Sequence, residues 1–342
     1  MSAEKKERLK YIDVMRVLAM IPVVICHYTR SQEYAGITYP FKFMPDEFFS
    51  IYLGSFGVAI FFILSGASLM YTYEGKLDIK LFIKKRFLGI FPMYYMAWIV
   101  AFLYLFYKNK GFIDTRAHWK LVYTVIGMDG YFNWLDETFY LLGEWFLGCL
   151  ILLYVLFPLL KWGIEKHPYI TAVIIALIYF VGIRIYHGKI PTGNFFLFRV
   201  PEFAFGMYFV KYIKEVKLPL GIISTVALIG AWFIDLSKVE VVYKNTFVGI
   251  AAFMCITWLC SYIKSDKFYD ICKKIGAYGY AVFLTHHFII QEICYHFAGR
   301  VLGKFENFIM LGFCVIITIW ASYLLIRADV LIKGKKAEKL KG

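Results

Sequence analysis

Arg16 and His27 stand eleven positions apart in the first apolar run of the chain. On an α-helix, eleven steps of about 100° end about 20° from the starting direction, so both side chains share one face, about 16 Å apart along the axis. Asp13, three positions before Arg16, lies on the same face and is placed to pair with the guanidinium. An ionised group at the centre of a bilayer costs about 2.5–3.5 kcal/mol on insertion scales, so each one needs a partner or a task. An imidazole titrates near neutral pH and can carry a proton; in a membrane bundle it can equally be a hydrogen-bonding residue between helices. His286 and His287 form a second imidazole pair in a later apolar run. Adjacent helical residues point about 100° apart, so at most one of the two is expected to face a common cavity.

Other chemistry-bearing residues recur at the edges of apolar stretches. Glu144 opens the sequence Gly143-Glu144-Trp145-Phe146-Leu147, and Ser65 ends Phe61-Phe62-Ile63-Leu64-Ser65 just before Gly66. Small residues such as Ser65 and Gly66 let membrane helices approach closely. Lys84, Lys85 and Arg86 form a basic cluster six residues before Pro92. Such a cluster either obeys the positive-inside rule or grips the phosphates of an anionic ligand. Arg199 and Glu202, three apart, are spaced to neutralise each other.

The elements that must hold these residues are membrane helices. The 342 residues are 61% hydrophobic and 18% charged, against about 45–50% and about 25% in soluble domains. Apolar runs at 11–29, 56–73, 87–107, 139–160, 169–187, 195–210, 218–234, 246–263, 276–297 and 308–326 are each near the length of one crossing. The expected fold is an all-α polytopic integral membrane protein of about ten transmembrane helices. It forms one membrane domain over 1–342, with no room for a separate soluble domain. The run at 195–210 carries Arg199, Pro201 and Glu202 and is expected to be broken or tilted.

With ten spans, both termini fall on one side together with 24 Lys and Arg, while the opposite side carries 11. The positive-inside bias therefore places both termini in the cytoplasm. The first run follows Lys5, Lys6, Arg8 and Lys10 like a signal peptide, but Asp13 and Arg16 interrupt it and no small-residue cleavage site follows. It reads as a retained helix. The net charge of +14 belongs to these loops rather than to a nucleic-acid surface. Seven cysteines without a C-x-x-C pair point neither to a disulfide framework nor to a zinc site, and no metal is expected.

Read together, these residues resemble the acyltransferase family 3 membrane proteins, which O-acylate surface glycans and related substrates. Arg16 and His27 match its Arg-x10-His motif, and Phe61 to Gly66 match F-F-x-x-S-G. Lys85, Arg86 and Pro92 are similar to its basic segment, Trp145-Phe146-Leu147 with Tyr154 and Pro158 to its W-F-L helix, Pro201 to Met207 to P-E-F-x-x-G-M, and Tyr280 to His286 to Y-x-x-Y-L-x-H. Phe283 stands where the family usually has Tyr, and Glu144 where it has His or another polar group. No esterase-like domain is expected after the last span.

The resemblance implies a membrane O-acetyltransferase. It would move an acetyl group from cytosolic acetyl-CoA to a hydroxyl of a glycan or lipid-linked sugar, in a cell membrane that is bacterial by family. Such transfer needs a base, donors for an oxyanion and a grip on the coenzyme. His27 is the expected base, with His286 as its substitute or as a transient acyl carrier. Glu144 is placed to orient an imidazole, and Arg16, Lys85 and Arg86 to hold the coenzyme. Asp13, Ser65 and Glu202 are expected in support. The other class that buries Arg and His in a polytopic bundle is a secondary transporter or lipid-linked glycan flippase. A metal-dependent glycosyltransferase is disfavoured by the lack of a D-x-D motif.

Overall fold

Asp78 and Ser265 each precede an apolar or amphipathic run, and each side chain accepts a hydrogen bond from a backbone N–H of the first turn, at 3.0 Å from Leu81 and 3.2 Å from Phe268. They cap two of thirteen α-helices in a computed structural model that describes residues 8–39, 42, 45–111, 116–234 and 238–339, with side chains to 334. Lys5 and Lys6 lie outside the described residues. The helices are α1 (Lys10–Tyr34), α2 (Leu53–Thr72), α3 (Ile79–Lys108), α4 (Leu121–Val125), α5 (Asp129–Phe132), α6 (Glu144–Lys166) and α7 (Pro168–Ile185). They continue with α8 (Val200–Tyr208), α9 (Leu218–Phe233), α10 (Val241–Tyr262), α11 (Asp266–Gly276), α12 (Gly279–His296) and α13 (Lys304–Lys339). Among the described residues the only sheet is a hairpin of β1 (Glu47–Phe48) and β2 (Ile51–Tyr52).

All ten expected spans fall on helices, but among the described residues seven rather than ten are long and apolar enough to cross a membrane by themselves: α1, α2, α3, α6, α7, α10 and α13. The other three differ for identifiable reasons. The expected span 195–210 is broken, with a 3-10 turn at Phe196–Arg199, nine α-helical residues in α8 and a π turn at Phe209–Ile213. α9 has only 16 residues. α12 carries Thr285, His286, His287, Gln291 and Glu292 within its 18 residues. The expected span 139–160 starts late, because Gly143 at φ +95° turns the chain before α6 begins.

α2 lies at the centre, packed by α1, α8 and α10. Its crossing with α8 is set by two glycines: a Cβ on Gly66 would collide with the carbonyl of Phe203, and one on Gly206 with the carbonyl of Ile63. The backbones meet where any side chain would part them, a small-residue crossing of the kind membrane helices favour. Phe62, Phe203 and Met207 fill the core on one side, with Ile60, Ile63 and Phe253 on the other.

Polar contacts sort the helix ends into two groups. Lys10 pairs with Asp266 at 2.7 Å and Arg8 with Asp270 at 3.5 Å, joining the start of α1 to α11. The Tyr280 hydroxyl donates to Ile90 O at 3.0 Å, and Leu325 packs near Ile90 and Ala281, so the late part of α13 stands beside the start of α12. At the other end Thr38 N–H donates to Arg300 O at 3.0 Å, and Lys108 pairs with Glu292 at 2.5 Å. Lys274 belongs to the first group, and Lys189 follows α7 on the opposite side in a ten-crossing path. All seven cysteines are buried, so a membrane-impermeant maleimide should find little background. It should label Lys274→Cys and Lys189→Cys from opposite faces of the membrane; labelling of both from one face would refute this threading.

Candidate active site

His27 is half-buried on α1 and turns toward α12, with its ring centre 5.0 Å from that of His286 and 4.7 Å from that of His287. Both neighbouring histidines therefore border one spot, where only one was expected. The His27 ring reaches the gap between them, and side chains about 100° apart can still touch a ring placed over that gap. The two are used differently. Nδ1 of His286 lies 2.8 Å from Val282 O and 3.1 Å from Phe283 O, in the turn before it, and its Nε2 is buried without a hydrogen-bond partner. Nδ1 of His287 meets the Glu144 carboxylate, and the Tyr140 hydroxyl lies 3.2 Å from the same nitrogen.

His27, Glu144 and His287 each bring a ligand-type atom within 4.8 Å of the other two, a group that could hold a metal ion. Donors about 2.0–2.2 Å from one tetrahedral zinc stand roughly 3.3–3.6 Å apart, whereas Glu144 and His287 are in direct contact. As they stand, the carboxylate and imidazole pair with each other.

Several elements bring Glu144 here. Gly143 has φ +95° and Glu144 itself φ +40°, an uncommon conformation for a residue with a side chain. The turn is braced from outside by α5, where a Cβ on Gly130 would strike the Glu144 backbone. Glu144 is also the first residue of α6, where a negative charge is favoured by the helix dipole.

From inside, Arg199 holds the next residue. Its guanidinium lies 5.7 Å from the Trp145 ring centre and 5.7 Å from that of Phe62. Arg199 pairs with Glu202 at 2.6 Å, and Nε donates to Gly193 O at 2.6 Å. Thr246 donates to Glu202 at 3.2 Å and accepts from Tyr179 at 2.8 Å. Both members of the pair are buried, at 1% and 0% exposure. The expected neutralisation is present, and Glu202 supports the start of α6 through Arg199 and Trp145.

The basic residues gather at the other depth. Arg16 pairs with Asp13 at 3.5 Å and remains 41% exposed, while Asp13 is held more closely by Arg8, whose Nε donates at 2.7 Å. Arg86 lies 5.8 Å above Tyr73 and 6.0 Å above Tyr154, and its Nε is buried without a hydrogen-bond partner. The Tyr154 hydroxyl interacts with Ser65 and Arg86 and lies in the field of Arg16. Ser65 donates to Phe61 O at 2.7 Å, a back-bond within its own helix. Lys85 is exposed on the outer side of α3.

The structure thus forms two groups along α1: His27, His286, His287, Glu144 and Tyr140 in one, and Arg16, Arg86, Ser65 and Tyr154 in the other. From sequence, His287 stands out only as the neighbour of His286 and Arg8 only among the basic residues ahead of the first run, and Tyr140 does not stand out at all. His287 was hidden by its neighbour, and Tyr140 and Arg8 lie in stretches without a periodic signal. Chemically, the first group can accept and hold a proton beside a carboxylate, and the second can hold an anion.

The sequence profile of the acyltransferase 3 family, described as an acyltransferase domain, matches residues 9–327. Acyltransferase MdmB of Streptomyces mycarofaciens is 26% identical over 166 residues, covering 47% of this chain and 41% of that protein. No solved structure matches the chain.

Removing one partner of a buried ion pair typically costs about 3–5 kcal/mol, whereas replacing both with apolar residues is often neutral. Glu202→Ala should therefore lower thermal stability sharply, and Arg199→Met with Glu202→Leu should recover most of it. Equal loss in the single and double variants would refute the pairing argument.

Proposed function

The chain belongs to the acyltransferase 3 family, and from that premise we propose that it is a membrane O-acyltransferase moving an acetyl group from cytosolic acetyl-CoA to a sugar hydroxyl of a cell-surface or exported polysaccharide. One observation carries this reading. A single face of α1 borders an imidazole–carboxylate cluster at His27 and, about 16 Å along the axis, a guanidinium group at Arg16. A thioester whose phosphates rest at Arg16 and Arg86 can extend along that face toward His27. Membership of the family, the apolar helices and the excess of Lys and Arg on one side favour a multi-pass protein of a bacterial cell membrane with both ends in the cytoplasm.

In this mechanism His27 takes the proton of the acceptor hydroxyl as its oxygen bonds to the thioester carbon. The imidazolium so formed lies beside the Glu144 carboxylate, which His287 and Tyr140 hold in place. When the carbon–sulfur bond of the tetrahedral intermediate breaks, His27 returns the proton to the thiolate. His286, whose Nε2 is buried without a hydrogen-bond partner and whose ring lies 5.0 Å from that of His27, is the substitute base. Ser65 has no base beside it and serves as a hydrogen-bonding residue of the inner group.

The decisive experiment is release of free thiol from acetyl-CoA by the purified protein with acceptor present. His27→Ala should lower turnover by about 10²–10⁴-fold, the usual worth of a catalytic base. A packing histidine in a membrane bundle contributes only about 0.6–2 kcal/mol of stability, so thermal stability should change little. Normal turnover would end the catalytic role of His27 and shift it to His286 or His287. A wild-type protein that moves a glycan without consuming thioester would instead be a transporter or flippase.

The inner group gives a second expectation. A hydrogen bond to a charged group contributes about 1.5–3 kcal/mol, so Arg86→Gln should raise the KM for acetyl-CoA roughly 10–100-fold. Lys85→Gln, at an exposed position, should change it less. Unchanged KM in Arg86→Gln would return the cluster to a topology signal.

A further inference from the structure

One turn beyond His27, α1 borders a cavity of about 170 Å³ between itself and the β1–β2 hairpin. Cys26 and Tyr52 line its inner part, and Arg30, Glu33, Asp46 and Glu47 stand at its mouth. The Cys26 thiol donates to the Tyr52 hydroxyl at 2.9 Å. Cys26, on the inner wall, immediately precedes His27 on α1, one helical step of about 100° away, so the cavity lies beside the residue that faces the imidazole cluster.

The charges at the mouth are unequally committed. Arg30 pairs with Glu33 at 3.2 Å and lies 5.9 Å from the Tyr52 ring centre. Lys42 bridges Glu33 at 3.3 Å and Asp46 at 2.5 Å. Three carboxylates thus face two cations, and Glu47 has no ion pair among the described residues. A carboxylate only accepts hydrogen bonds, so Glu47 suits a hydroxyl donor and repels an anion. Pockets that enclose a whole drug-sized ligand run to about 300–1,000 Å³; this one has room for a single ring, with the remainder of a larger molecule left outside.

We propose that this cavity is the acceptor subsite, and that it selects an uncharged, hydroxyl-bearing ring over one carrying a carboxylate or phosphate. Tyr52 offers the ring face, Glu47 receives the hydroxyl hydrogen bonds, and a hydroxyl at the inner end points toward His27. The inference rests on the acyl-transfer reading and adds a specificity that this reading does not contain.

The test uses the full-length protein in detergent, with methyl glycosides of neutral hexoses and with methyl glucuronide as the anionic probe. Neutral glycosides should raise the thermal stability of the His27→Ala variant, which needs no turnover, and the glucuronide should not. In the wild-type enzyme Glu47→Gln should raise the acceptor KM about tenfold or more, leaving the KM for acetyl-CoA unchanged. Glu47→Lys, at an exposed position, should bring the glucuronide into use. Stabilisation by no neutral glycoside, equal stabilisation by the glucuronide, or an acceptor preference indifferent to Glu47→Lys would overturn the subsite. Selective stabilisation without any thioester consumption would leave the subsite standing and overturn acyl transfer alone.

Discussion

A charge inside an apolar bundle must be matched within the bundle, and the contact between Glu144 and His287 is the match on which the candidate site depends. It ties the first residue of α6 to the middle of α12, two elements far apart in the chain, and leaves their shared edge facing His27. Had the carboxylate found a partner on its own helix, α6 would have had no polar reason to stand against α12. The unusual backbone of Gly143 and Glu144 is part of the same arrangement, because a regular turn would carry the carboxylate elsewhere.

The second buried pair has a different part. Arg199 and Glu202 neutralise each other almost wholly out of solvent, and their hydrogen bonds extend to Gly193, Thr246 and Tyr179. The flat face of the guanidinium remains for Trp145 and Phe62. A single ion pair thereby links α8, α10, α6 and α2. It is a scaffold for Glu144, reaching the next residue, Trp145, through Arg199. The glycine crossing of α2 and α8 makes this compactness possible, since a wider spacing would carry Arg199 away from Phe62.

Along α1 the molecule divides its work by depth. Guanidinium groups, hydroxyls and a partly exposed entrance lie near one end, and imidazoles, a carboxylate and a polar cavity near the other. This is the order that the proposed transfer, from an anionic donor on one side of a membrane to a neutral acceptor on the other, would use. It arises from an eleven-residue spacing on a single continuous helix, Lys10–Tyr34.

Sequence alone determined what depends on local periodicity. The apolar runs marked the long helices but not α4, α5 or the amphipathic α11, which fall in stretches read as loops; the spacing of Arg16 and His27 set them on one face, and the interval from Arg199 to Glu202 foretold their pairing. The break in the run at 195–210 was legible too, because Pro201 and two charges interrupt it. What the periodicity of one helix cannot carry is how that helix is rotated and shifted against its neighbours. Only the tertiary structure decided that His287 rather than His286 meets Glu144, that Arg8 is the closer partner of Asp13, and that Arg86 turns inward while Lys85 faces out. The same limit applies to length: among the described residues seven helices are long and apolar enough to cross a membrane, while α8 is broken, α9 is short and α12 is polar.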